Sequence, residues 1–455
     1  MDARILSRAP RASVPLLAIA LVLSACASTP PVTPAPPSIA PPPSVAPASP
    51  IATRTASATP RAVALATSPT VAEIDGLRQR LAAAPDDQGA ARDLGFALLQ
   101  RARETLDPGL YVAADEAFAK ADPTDPLVTL GQATLAAARH EFRGALDGAR
   151  ATLRLLPDLP TAHAIEIDAL VELGRYDEAD QVLARLAHAP PSLPILARAS
   201  YLRELRGDLP GAIDRMQQAI AAADPDGPPE NVAYVTTLLG DLLAKHGDTD
   251  AAKQAYDDAL RLAPDHVAAL LGEGRLALRS DDVQHAIQQF QHAVDIVPTP
   301  EAVVALGEAE RVAGDAQRAD DTFALAAIEI QLLKSNGVTV DLELGRFQAD
   351  HDDPAEALAS AERAYHERTT IHTADLLGWA RYRTGDLRGA KQASDEALRL
   401  GTPDPLLRYH AGAIAAALGE GHEAREQLEE ALRLDPGFSA TGAADARRLL
   451  DELGG

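Results

Sequence analysis

From about residue 71 onward the apolar positions show almost no period-two alternation and few runs of Val or Ile; Ala and Leu are interleaved with Arg, Asp and Glu. That pattern predicts helices rather than strands. The stretch is too long for one ordinary core, so its internal periodicity decides its organisation. Gly240, Gly274, Gly307, Gly345, Gly378 and Gly412 follow one another at intervals of 34, 33, 38, 33 and 34 residues. Twelve residues after each stands an alanine: Ala252, Ala286, Ala319, Ala357, Ala390 and Ala424. In four units a large side chain (Tyr256, Phe290, Phe323, Leu428) follows that alanine by four residues, and a second alanine (Ala259, Ala293, Ala326, Ala431) by seven.

Each unit therefore predicts a helix hairpin. A glycine inside the first helix lets the second approach closely, at a propensity cost of about 1 kcal/mol. Ala, a large residue and Ala at i, i+4 and i+7 place one knob between two small residues on one helix face. Gly247-Asp248, Gly314-Asp315 and Gly385-Asp386 mark the turn between halves, and Pro264, Pro298 and Pro436 end units. A lone hairpin leaves one apolar side uncovered, so the units must stack into a solenoid.

The pattern resembles the tetratricopeptide repeat (TPR). The best unit, ending at Asp265, matches that family at Leu239, Gly240, Ala252, Tyr256, Ala259 and Pro264. Six units are clear between about 233 and 438. Three weaker ones are marked by Ala145, Ala179 and Ala212, and a degenerate one spans roughly 88–125, where Leu94-Gly95 and Phe118 fit but the intervening loop is too long. The expected fold is all-α: about ten repeats, with a weaker array over 71–232, a clear array over 233–438 and a capping helix within 439–455. Two intervals are long, 40 residues from Ala212 to Ala252 and 38 from Ala319 to Ala357; a surface loop or a change in direction of the superhelix would each account for them.

The amino-terminal end is different. Arg4, Arg8 and Arg11 precede an apolar run, Val14 to Leu23, which is about half the roughly 20 residues needed to cross a bilayer. Leu23-Ser24-Ala25-Cys26 follows and contains the chain's only cysteine. Together these resemble a bacterial lipoprotein signal with its lipobox. The resemblance implies cleavage after residue 25 and acylation of Cys26, and Ala27, in place of Asp, implies sorting to the periplasmic side of the outer membrane. An incidental cysteine beside an ordinary cleavage site is the competing reading. Residues 29–70 hold twelve prolines and only two charges, Arg54 and Arg61; such a segment buries too little apolar surface to fold and reads, with Cys26, as a tether over 26–70.

Net charge is −24 and only five lysines occur. Nucleic acid is thus an improbable partner, and no polybasic membrane patch exists. No HExxH, GxSxG or Walker loop is present, and no cofactor is expected. His285 and His292, and His351 with Asp352 and Asp353, are the nearest approaches to metal spacing; solvated side chains and helix capping explain them.

The TPR resemblance implies protein or peptide binding along the concave surface lined by first helices. On this chain those positions include Tyr234, Thr237, Arg275, Arg279, Arg346, Asp375, Trp379, Tyr382, Arg383 and Tyr409. Aromatic and Arg side chains are the usual anchors of interfaces, so the expected partner-binding residues are Arg275, Arg279, Arg346, Trp379, Tyr382, Arg383 and Tyr409. Trp379 packing against the next unit's first helix is the alternative for that residue. With Asn231 and Asn336 the only asparagines, a dicarboxylate clamp is disfavoured. The expected function is a non-catalytic scaffold that docks envelope proteins or peptides. The second class is a glycan- or peptidoglycan-binding lipoprotein that stacks sugars on Trp379 and Tyr382.

Overall fold

The computed structural model describes residues 69–225 and 227–454. The signal, Cys26 and the tether up to Ser68 lie outside the described residues. The described residues form 22 helices and no strand. After α1 (Pro69–Ala83) come ten antiparallel hairpins. The first five pair α2 (Gln88–Thr105) with α3 (Gly109–Ala119), α4 (Pro126–Ala138) with α5 (Phe142–Leu155), α6 (Pro160–Glu172) with α7 (Tyr176–Arg185), α8 (Leu193–Leu205) with α9 (Leu209–Ala221), and α10 (Pro229–His246) with α11 (Thr249–Leu262). The rest pair α12 (Val267–Arg279) with α13 (Val283–Ile296), α14 (Pro300–Val312) with α15 (Ala316–Ser335), α16 (Asp341–His351) with α17 (Pro354–Glu367), α18 (Ile371–Arg383) with α19 (Leu387–Ala397), and α20 (Pro405–Leu418) with α21 (Gly421–Leu434). The last helix, α22 (Gly442–Gly454), packs against α20 and α21.

Local chemistry sets the hairpins. At the turns Gly247, Gly314 and Gly385 adopt φ of 93°, 91° and 87°, the left-handed region that ends a helix without a Cβ clash. The aspartate after each glycine caps the second helix: Asp248, Asp315 and Asp386 accept from the backbone N–H of Ala251, Arg318 and Gly389. All nine repeat alanines, from Ala145 to Ala424, are completely buried. A Cβ on Gly240 would lie 2.5 Å from the Tyr256 ring, and one on Gly272 would lie 2.4 Å from it. Tyr256 is thus gripped by glycines of its own hairpin and of the next, which couples neighbouring repeats. Phe118 sits in the same way between Gly95 and Gly131. Around it, Ala114 and Ala121 complete the small-large-small signature of the degenerate first hairpin; the regular period does not point to these alanines because Gly95 and Ala114 stand 19 residues apart instead of 12.

The solenoid closes on itself. Residues 195 to 200 apart, about six repeats, meet across successive superhelical turns. Ile371 N donates to Tyr176 Oη at 3.0 Å, Thr402 Oγ1 to Leu205 O at 2.7 Å, and Thr339 N to Arg139 O at 3.0 Å. Arg368 bonds Glu172 at 3.0 Å while its guanidinium lies 5.2 Å over the Phe142 ring. Ile371 and Leu407 share a core with Leu170, Leu202 and Leu205. The second long interval is explained here: α15 is extended, and the segment after it reaches the first turn at Arg139 and His140, whose Nδ1 lies 2.9 Å from Thr339 O.

Candidate functional site

First helices α10, α12, α14 and α16 meet a common space, the lumen, through Tyr234, Arg275, Val304 and Arg346. It holds a cavity of about 590 Å³. Leu271, Phe290, Val304 and Phe347 form apolar wall; the α21–α22 connection, residues 437–440, turns back to line the same space. That connection is held by Arg279, whose Nη2 donates to Asp435 Oδ2 at 2.8 Å and Nη1 to Ala244 O at 2.7 Å.

Of the seven expected partner-binding residues, Arg279 braces the α21–α22 connection, and the other six divide into two groups. Arg275 and Arg346 line the cavity. Arg275 reaches Glu301 Oε1 at 3.3 Å and Asp241 Oδ1 at 3.2 Å, and Asp241 also accepts from Tyr256 Oη at 2.7 Å. Burial raises the Glu301 carboxyl above its usual range, against the opposing pull of Arg275. Arg346 makes no hydrogen bond or ion pair with any described residue. Tyr234, just after the extra first turn of α10, lines the cavity as well, whereas Thr237 is buried and bonds Ala233 O.

The other group is packed away. Trp379 is 3 % exposed, donates Nε1–H to Asp350 Oδ1 at 2.8 Å, and stacks against Tyr382 at 4.9 Å and against His410 at 4.0 Å. His410 stands on α20, so Trp379 packs against the first helix of the next unit. Tyr409 is completely buried and donates to Asp445 Oδ2 at 2.9 Å. Arg383 Nη1 is 3.8 Å from Asp350, and Asp375 holds His410 Nδ1 at 2.9 Å. Trp379 therefore has no open ring face on which a sugar could stack.

Two histidines stand out electrostatically. Burial pushes His266, which lines the cavity, down to about 4, and its Nε2 is buried without a partner. Burial and the neighbouring Arg346 push His372 to about 4, against Asp404 and Asp375. Lys245 is deeply placed too; although burial pulls it down, Glu204 and Asp404 hold it above its ordinary value. Among the described residues no group of three or more His, Cys, Asp or Glu is arranged to hold a metal, and His285 and His292 are exposed on α13. Asp353 caps α17 through Ala355 N at 2.8 Å, while His351 stacks on Phe323 at 4.2 Å.

The tetratricopeptide repeat family matches residues 237–299 and 376–437. Among solved structures, the chain is similar to a tetratricopeptide repeat protein from Parabacteroides merdae ATCC 43184, at 17% identity over 58% of this chain and 99% of that one, with a TM-score of 0.34. It is also similar to a human IFIT1 dimer with PPP-AAAA, at 16% identity over 82% of this chain and 89% of that one, with a TM-score of 0.43. No curated protein matches it.

Proposed function

We propose that this chain, whose residues 237–299 and 376–437 match the tetratricopeptide repeat family, is a non-catalytic docking scaffold held in a bacterial envelope by acyl groups on Cys26. The repeats fit a protein–protein interaction scaffold. The observation that carries the docking reading is the placement of Arg275 and Arg346: of the seven expected residues, these two line the lumen cavity and meet what enters it. A cavity of about 590 Å³ favours an extended segment of a partner over a folded domain. The membrane half of the proposal rests on the basic and apolar lead-in to Leu23-Ser24-Ala25-Cys26 and on the Pro-rich tether behind it. With several acyl chains such an anchor would be stable, since a single chain binds only marginally.

Two experiments test the two halves. Cys26→Ser should move the protein from the membrane fraction to the soluble periplasmic fraction; unchanged fractionation removes the anchor. In-cell crosslinking followed by mass spectrometry should capture an envelope protein with the wild type and lose it with Arg346→Glu. Equal capture by both moves the docking site out of the lumen.

A further inference from the structure

Three departures from the 34-residue period meet at one place. In the first hairpin the Gly-to-Ala spacing is 19 residues rather than 12, and the excess forms the end of α2 and the loop with Leu106 and Pro108. The first long interval starts α10 a turn early, adding Glu230 and Asn231, so that α10 has 18 residues where α12 and α14 have 13. The second long interval gives α15 its 20 residues, against 14 for α13 and α17. Leu106 and Pro108, Glu230 and Asn231, and Leu333 and Val338 after them all line the same 590 Å³ cavity. Regular hairpins bury their own knobs without such additions, and packed interiors hold few voids larger than a water molecule. A largely apolar cavity of roughly 300–1,000 Å³ is the ordinary size of a small-molecule site.

The charges around it are uneven. Four of the six lining carboxylates have cationic or histidine neighbours: Glu301 has Arg275 at 3.3 Å, Glu308 has His351 at 3.2 Å, Glu104 has Arg101 at 3.1 Å, and Glu343 has His140 at 4.0 Å, with Glu230 and Asp265 completing the set. Arg346 is the lining cation with no hydrogen bond or ion pair to any described residue. The Nε2 of His266 and the Oε2 of Glu343, both in the lining, are buried without a hydrogen-bond partner. Glu301 acts on Arg346 only at longer range, so an anion at Arg346 would supply the direct partner that the chain itself does not, and such an anion must carry an apolar body to fill the wall beside it.

We propose that the lumen cavity is a binding site for a single-chain amphiphilic carboxylate of the fatty-acid type, with its tail among Leu271, Val304, Leu333 and Phe347 and its carboxylate on Arg346. The site goes beyond the docking of a protein segment and does not depend on it. The aliphatic wall supplies affinity through burial, and Arg346 supplies selection for the charged head.

The test uses the purified full chain and the neutral fluorophore N-phenyl-1-naphthylamine, displaced by dodecanoate, dodecanol or dodecylamine below their micelle concentrations. The fluorophore should brighten on binding, and dodecanoate should displace it at the lowest concentration. Arg346→Gln should weaken dodecanoate about tenfold or more, the usual size of a lost charge-assisted bond, and leave dodecanol unchanged. Arg346→Lys should keep part of the preference. Ala305→Phe, whose ring enters the cavity from its lining, should weaken all ligands while far-ultraviolet circular dichroism stays as in the wild type. No brightening, equal potency of dodecanoate and dodecanol, preference for dodecylamine, or dodecanoate binding unchanged in Arg346→Gln would each overturn the proposal. None of these results touches partner capture in cells, which tests docking separately.

Discussion

A methyl group added at Gly240 would sit 2.5 Å from the Tyr256 ring, closer than real side chains pack. Gly240→Ala should therefore lower stability by about 1–3 kcal/mol, as overpacking does, read as a shift of the urea midpoint. Gly144 is the matched control: it is helical and exposed, with nothing nearer to its added Cβ than Ala136 at 3.8 Å. Gly144→Ala should stabilise by about 0.5 kcal/mol by restricting the unfolded chain. The packing glycines were legible because one residue type recurs at one spacing. Gly272 was not, since its partner Tyr256 belongs to the preceding unit and nothing in the period points there. His372 gives a second prediction at this scale. Its ordinary value is 6.5 and burial and Arg346 bring it to about 4 in the folded chain. Above 6.5 both states are neutral there; as pH falls toward 4 the unfolded chain takes a proton that the folded one refuses, so stability is lost. The stability difference between wild type and His372→Gln should fall by about 2 kcal/mol from pH 7.5 to pH 4.5. A difference that stays flat with pH would contradict the assignment.

Among the elements, the hairpins follow from local signals: a left-handed glycine, a capping aspartate, an alanine face. What local signals could not show is where the three longer helices go. An insertion in sequence is silent about direction, and only the superhelical path brings the end of α2, the start of α10 and the end of α15 together. The same path explains the fate of Trp379. Its position after the packing glycine places it on the first-helix face, yet α20 of the next unit supplies His410 to stack on it and α16 supplies Asp350 for its Nε1–H. Arg368 shows the energetic weight of contacts between elements of different turns. It faces Glu172, whose carboxyl burial already raises. Arg368→Ala would leave that carboxyl buried and unpaired, and should cost about 3 kcal/mol at neutral pH.

For the whole molecule, the consequence is cooperativity. An open solenoid is a chain of nearest-neighbour interfaces, in which damage stays close to its repeat. Here the turn-to-turn contacts tie α6 and α7 to α18, and α8 to the segment before α20. Amide exchange should report it: in Arg368→Ala, protection should fall together in α6 and in α18, almost 200 residues away, whereas loss confined to α17 and α18 would mean that the two turns are energetically separate. The proposed docking would act at the cavity with Arg275 and Arg346, since Trp379 and Tyr409 are buried. The most direct measurement is site-specific photo-crosslinking in cells, with the photoreactive residue placed at Tyr234 or Ala268 in the lumen and at His285 or His292 on the exposed face of α13. The account predicts one discrete partner from both lumen positions and none from the outer ones; the same partner from the outer positions alone would contradict it.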